Sequence, residues 1–161
     1  MPDVNAQQAQ RLINFATERL GRVEGDGQCW TLVDNAFRHV GFNKPASTYV
    51  WGRVINNLSD ARPGDVFQFT RFEVTVRVTQ PDGNWEEQTM SRGEPRHTAI
   101  LESVNGNRAT FLESNVTDDQ TVKRNGFGIR TATTTDDAGV RTSTTVSGSF
   151  IIYRPQVSAN P

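Results

Sequence analysis

Cys29 is the only cysteine in the chain, and His39 and His97 are its only histidines. A thiol attacks a carbonyl as the thiolate, and an imidazole takes its proton and later returns it to the leaving amine. A lone cysteine is by default a small buried hydrophobe, so the surroundings of Cys29 decide whether that chemistry is open to it. The segment Gly25-Asp26-Gly27-Gln28-Cys29 reads as a glycine-rich turn entering the first turn of a helix. Unpaired N–H groups and the helix dipole lower a thiol pKa there. The same N–H groups can receive the oxyanion formed when the thiolate attacks. Gly25 and Gly27 let the preceding loop come close to a substrate. A structural cysteine belongs instead in mid-helix, on the apolar stripe.

His39 lies in the same helical pattern as Cys29, about 15 Å further along the axis, and is out of reach. It reads as a surface residue or a partner of the helix C-terminal dipole. His97 opens the strand-like run HTAILESV and is the histidine a fold can bring across. A third group must orient the imidazole. Glu113 and Asn115, on the next strand candidate, are available. A three-residue loop at Asn105–Asn107 would pair Val104 with Arg108 and His97 with Asn115. His97, Ala99, Glu113 and Asn115 then share one face, and a slip of one residue would turn both polar candidates away. The plain alternative for Glu113 is a solvated strand face.

The elements that must position these groups follow from periodicity. Ala9, Leu12, Ile13, Ala16 and Leu20 predict an amphipathic helix over Gln7–Leu20. Leu32, Val33, Ala36, Phe37 and Val40 predict a second over Cys29–Val40, closed by Gly41. Beyond them the chain reads as strands: Val66–Phe69, an alternating Phe72–Val78, a return at Trp85–Met90 through the PDGN turn, His97–Val104, Ala109–Val116 and a closing Ser149–Tyr153. Weaker strand signals fall near Gly128–Thr131 and Val140–Thr145. The Thr- and Asp-rich stretch 117–138 reads as a solvated loop. Asp65, in Arg62-Pro63-Gly64-Asp65, reads as a turn residue. Helices first and an antiparallel sheet afterwards is an α+β pattern.

Composition narrows the classes. The formal charge of −1 excludes a basic nucleic-acid field. No apolar run approaches the roughly 20 residues of a membrane span. The start MPDVNAQQAQ lacks the basic and apolar regions of a signal peptide, which predicts a cytoplasmic protein or export by a non-Sec route. One cysteine rules out an internal disulfide framework, and one cysteine with two histidines makes a poor zinc set. No cofactor and no metal are expected.

Five segments resemble the CHAP domains, the cysteine, histidine-dependent amidohydrolase/peptidase family of the papain-like and NlpC-type superfamily. GDGQCWTLVDNAF resembles its nucleophile helix, RPGDVFQF its strand entry, HTAILESV its histidine strand, FLESNV the strand carrying the orienting residues, and GSFIIYRP its terminal strand. They occur in family order and span nearly the whole chain. The resemblance implies a papain-like fold in a single catalytic domain over residues 1–155, with a tail over 156–161. It implies a peptidoglycan amidase or endopeptidase with Cys29 as nucleophile, His97 as base, Glu113 orienting the imidazole and Asn115 in support. The Cys29 backbone N–H would serve the oxyanion hole, with Gln28 beside it and Trp30 as a further substrate contact.

The stretch 71–95 is longer than the family's usual connection and reads as an inserted hairpin that shapes the groove or meets a partner, such as an inhibitor or immunity protein. Two other readings stand beside hydrolysis. The same Cys–His pair can pass an acyl group to an amine or alcohol, and the scaffold can persist as a non-catalytic binding module. Trp30, Trp51 and Trp85 are read first as packing residues and second as a substrate platform.

Overall fold

Asn5 starts the first helix by a reciprocal cap. Its side chain accepts from the Gln8 N–H, and the Gln8 side chain accepts from the Asn5 N–H, each at 2.8 Å. Helix α1 runs Ala6–Thr17 and buries Ala9, Leu12, Ile13, Phe15 and Ala16. It stops three residues short of Leu20, which bridges instead to Val122. Helix α2 spans Cys29–Val40, as its apolar spacing predicts, and Gly41 closes it at φ 77° with its N–H on the Phe37 carbonyl. A computed structural model describes residues 1–158, and no helix among them is long and apolar enough to cross a membrane.

Seven antiparallel strands follow: β1 (Arg53–Ile55), β2 (Val66–Thr79), β3 (Trp85–Asn105), β4 (Arg108–Glu113), β5 (Lys123–Gly128), β6 (Ala132–Thr135) and β7 (Arg141–Arg154). Their order is β1-β7-β2-β3-β4-β5, with β6 also on β7. The sheet therefore curls, because the chain leaves β5 at one edge and reaches β6 beside β7 after only three residues. Thr144 of β7 accordingly lies against Gly128 at the end of β5.

This curl divides the apolar interior in two. One cluster joins the helices to the outer sheet face through Leu12, Leu32, Phe37, Trp51, Ile100 and Leu112. The other fills the concave side with Phe67, Phe69, Phe72, Phe111, Phe127 and Ile152. Edge-to-face and tilted ring contacts tie its phenylalanines together, such as Phe67–Phe111 at 4.9 Å and Phe69–Phe72 at 5.0 Å.

A crease crosses the sheet. Pairing of β2 with β3 jumps from Thr70–Arg96 to Phe72–Arg92, and pairing of β2 with β7 from Thr70–Ser149 to Glu73–Ser147. Arg71, Gly93 and Gly148 lie at this line with φ of 45°, 106° and 79°. A Cβ on Gly148 would collide with the Arg71 carbonyl, so only glycine lets the two strands meet there. Beyond the crease, β2, β3 and β7 continue as an arm, which is the predicted 71–95 hairpin with β7 and β6 added to its side.

Several expectations change. The two runs at 66–69 and 72–78 form one bulged strand, and the His97 strand is continuous with the arm. The stretch 117–138 is not a loop: it carries β5 and β6, held by ladder pairing with β4 and β7 in spite of its polar composition. Strand β1 is a short edge on β7 that periodicity does not signal. The tail expected from 156 is tied down at its start. Gln156 bridges to Asp3 and Asn43, and the Val157 N–H bonds the Pro2 carbonyl at 3.0 Å. Residues 159–161 of that tail lie outside the described residues.

Candidate active site

Cys29 is the first residue of α2, and two glycines deliver it there. Gly25 presses against Thr31 and Asn35, and Gly27, at φ 81°, against Gln120, so side chains at either position would push the turn off the helix start. Asp26 accepts the Gln28 N–H at 3.0 Å and fixes the turn. Gln28 stands at the N-cap in extended conformation without capping through its side chain. The first-turn N–H groups therefore keep no side-chain acceptor from the cap.

Pairing of β3 with β4 ends at Ile100–Leu112, and the N-terminus of α2 meets the open edge of β3 beyond it. The Cys29 sulfur accepts from the backbone N–H of Thr98 and hydrogen-bonds the His97 imidazole. His97, buried on β3, turns Nε2 to Glu113 Oε1 at 2.8 Å, which leaves Nδ1 for the thiol. Glu113, the last residue of β4, is fully buried.

Its carboxylate is saturated by donors. Arg92 Nε reaches Oε1 and Arg92 Nη2 reaches Oε2, both at 2.9 Å, and Asn125 Nδ2 donates to Oε2 at 2.9 Å. Arg92 is itself 5% exposed, with its guanidinium 5.0 Å from the centre of the Phe127 ring. The site thus runs Cys29–His97–Glu113–Arg92, from a helix start to the arm beyond the crease.

The electrostatics follow from these contacts. Burial alone would push the Cys29 thiol up. The hydrogen bond and charge of His97, with the backbone N–H groups of Thr98 and Trp30, outweigh burial and hold it below its usual value. Burial alone would lower His97, yet Cys29 and Glu113 raise it to about 9. Burial would raise Glu113, and the hydrogen bonds and charges of His97 and Arg92 bring it below the usual carboxylate value instead. An imidazolium between two anionic groups is the charge state this arrangement favours.

The structure brings Cys29, His97 and Glu113 together. Asn115 does not reach the imidazole. It sits past the end of β4 at φ 61° and donates from Nδ2 to Gln28 Oε1 at 3.0 Å, tying the residue before the thiol to the loop after Glu113. Gln28 therefore keeps its Nε2 donor end free of partners among the described residues. Trp30 is committed to packing. Its indole donates to the Thr48 carbonyl at 2.6 Å and tilts against buried Trp51, so its backbone N–H is what it offers the thiol. Trp85 lies exposed near the tip of the arm with Arg77 over its ring, at the hairpin end of the strand that carries His97. Asp65 is a turn residue, bound by Arg154 through Nε at 3.0 Å and Nη2 at 2.9 Å. His39 packs against Phe15.

Arg92 and Asn125 are the site residues that sequence reasoning misses. A charge on an exposed-looking hairpin and an asparagine in a polar stretch read as solvated. The available signal was that Arg92 sits opposite Phe72 on the apolar face of an alternating pair.

A cysteine at a helix start, an imidazole on the central sheet and a carboxylate on the next strand define the class of cysteine proteinase folds. A match over residues 1–159 goes further, and the chain belongs to the AIM3/BBC1 cysteine proteinase-fold domain family. That match supports the papain-like fold without singling out the CHAP domains. Comparison with curated proteins and with solved structures finds no match.

Proposed function

We propose that the chain is a cysteine-dependent amide hydrolase. The observation that carries this reading is the hydrogen-bonded series from Cys29 through His97 to Glu113, with the thiol at a helix start and Glu113 sealed from water. The Cys29 thiolate attacks the amide carbon, and the oxyanion is received by the Cys29 backbone N–H with the free amide of Gln28 beside it. His97 passes its proton to the departing amine, leaving a thioester on Cys29. A water molecule, deprotonated by His97, then cleaves the thioester and restores the thiol. Glu113 keeps the ring in the orientation that faces Nδ1 to sulfur and balances the imidazolium charge. Asn115 acts through Gln28 and not through the imidazole.

For substrate, the CHAP-like segments favour peptidoglycan amides, at the sugar–peptide link or within the peptide stem. The matched family names a cysteine proteinase fold and no substrate, so ordinary peptides belong in the same test. Purified chain and its Cys29→Ala variant are incubated with peptidoglycan of several wall types and with a denatured protein mixture, and new termini are read by mass spectrometry. Fragments from the wild type alone support hydrolysis and identify the bond. Fragments from peptides but not from wall material retain the hydrolase and discard peptidoglycan. No Cys29-dependent product from either, with a supplied amine acceptor also left unacylated, leaves a binding module.

A further inference from the structure

The arm beyond the crease contributes one side chain to the site, and the hydrolase reading assigns it nothing. Arg92 and His97 donate to the same oxygen of Glu113: Arg92 Nε at 2.9 Å and His97 Nε2 at 2.8 Å both meet Oε1. Arg92 is fixed from its own side by the bulge that brings Phe72 opposite it, by the Phe127 ring and by its Nη1 bond to the Ser91 carbonyl at 3.0 Å. A bidentate arginine on a carboxylate fixes the carboxylate plane as well as its charge.

We propose that Arg92 is a positioning residue for the Cys29–His97 pair: it locks Glu113 in one orientation and draws off part of its charge, so that the imidazolium can release its proton to a leaving group. This rests on the hydrolase reading. A buried carboxylate with no second cation would stabilise the imidazolium in full, and a proton held that firmly is returned slowly. Arg92 sets the intermediate condition. Glu113 stays ionised and aligned while its hold on the ring is weakened.

The groups that bear on this titration are few. His97 faces Cys29 and Glu113, and Glu113 faces His97, Arg92 and the neutral Asn125 amide. Lys123 stands opposite Glu113 in the ladder but gives its ammonium to Asp119 at 2.7 Å, and neighbouring Arg124 pairs with Glu102. Arg96, next to His97 in the chain, lies over the Tyr49 ring.

The test needs no substrate. The imidazole nitrogens of His97 are titrated by NMR in the intact chain. In Arg92→Gln the His97 midpoint is expected to rise by about one pH unit, because the cation opposing the imidazolium is gone. In Arg92→Lys, which restores charge without the fork, it is expected to return near the wild-type value. His97 unchanged or lowered in Arg92→Gln overturns the proposal while leaving the hydrolase reading intact. A wild-type His97 that titrates like a free imidazole overturns both. Should Arg92→Gln not fold, the Arg92 Nε–H resonance of the wild type decides. It is expected to follow the His97 titration through their shared oxygen, and a flat signal across that range rejects the role.

Discussion

His97 stands between a thiol and a carboxylate, and its protonation depends on both. The thiolate–imidazolium state spans the interval from the lowered Cys29 value up to about 9 for His97. Alkylation of Cys29 against pH is therefore expected to proceed well below the range of an ordinary thiol, and His97→Ala is expected to move it back toward that range. Glu113→Gln keeps the shape of the side chain and removes its charge. Hydrolysis by that variant is expected to fall at least about 100-fold, measured on whichever amide the wild type cleaves. Glu113 also links the site to stability. Its value in the fold lies below the ordinary 4.5, so as the pH falls the unfolded chain binds this proton first. The stabilisation is complete above about 4.5 and is lost as the pH drops through the folded value. Urea unfolding at neutral and acid pH is expected to show that loss in the wild type and less of it in Glu113→Gln.

Among the elements, the β3–β4 ladder shows how the sequence can be right about a face for an incomplete reason. The expected three-residue turn would have set Val104 opposite Arg108. The turn is one residue tighter and pairs Val104 with Ala109, which by itself would slip the register and turn Glu113 away from His97. A bulge between Leu101 and Ser103 returns the ladder to Leu101–Phe111, so His97 and Glu113 share a face after all. Periodicity cannot show such a pair of compensating shifts. The nucleophile helix was legible because its stripe, its terminal Gly41 and its glycine-rich entry are local signals. Strands β5 and β6 were not, since Phe127 is their one large apolar residue and their stability comes from partners distant in sequence. The crease was equally hidden, although its glycines were visible. Gly148→Ala is expected to cost roughly 1–3 kcal/mol, because the new Cβ meets the Arg71 carbonyl and φ is positive; thermal unfolding measures it.

At the scale of the whole molecule, the helices and the concave phenylalanine cluster lie on opposite sides of one sheet, and the site passes between them. Cys29 comes from the helical side, while His97, Glu113 and Arg92 belong to the concave side. The closing strand is tied to the turn that enters β2 through Arg154, which reaches buried Asp65 and the Asp60 carbonyl. Removing one member of that ion pair strands a buried charge, so Asp65→Ala is expected to lose about 3–5 kcal/mol by denaturant titration.

The crease has a kinetic corollary. Arg92 lies on its far side and Cys29, His97 and Glu113 on its near side, so the four residues need not belong to one cooperative unit of opening. Amide hydrogen exchange along Phe72–Val78 and Trp85–Ser91 is expected to be faster than along Val66–Phe69 and α2. Each such opening would withdraw the guanidinium from Glu113 and interrupt the site for its duration, while the nucleophile's own helix stayed closed.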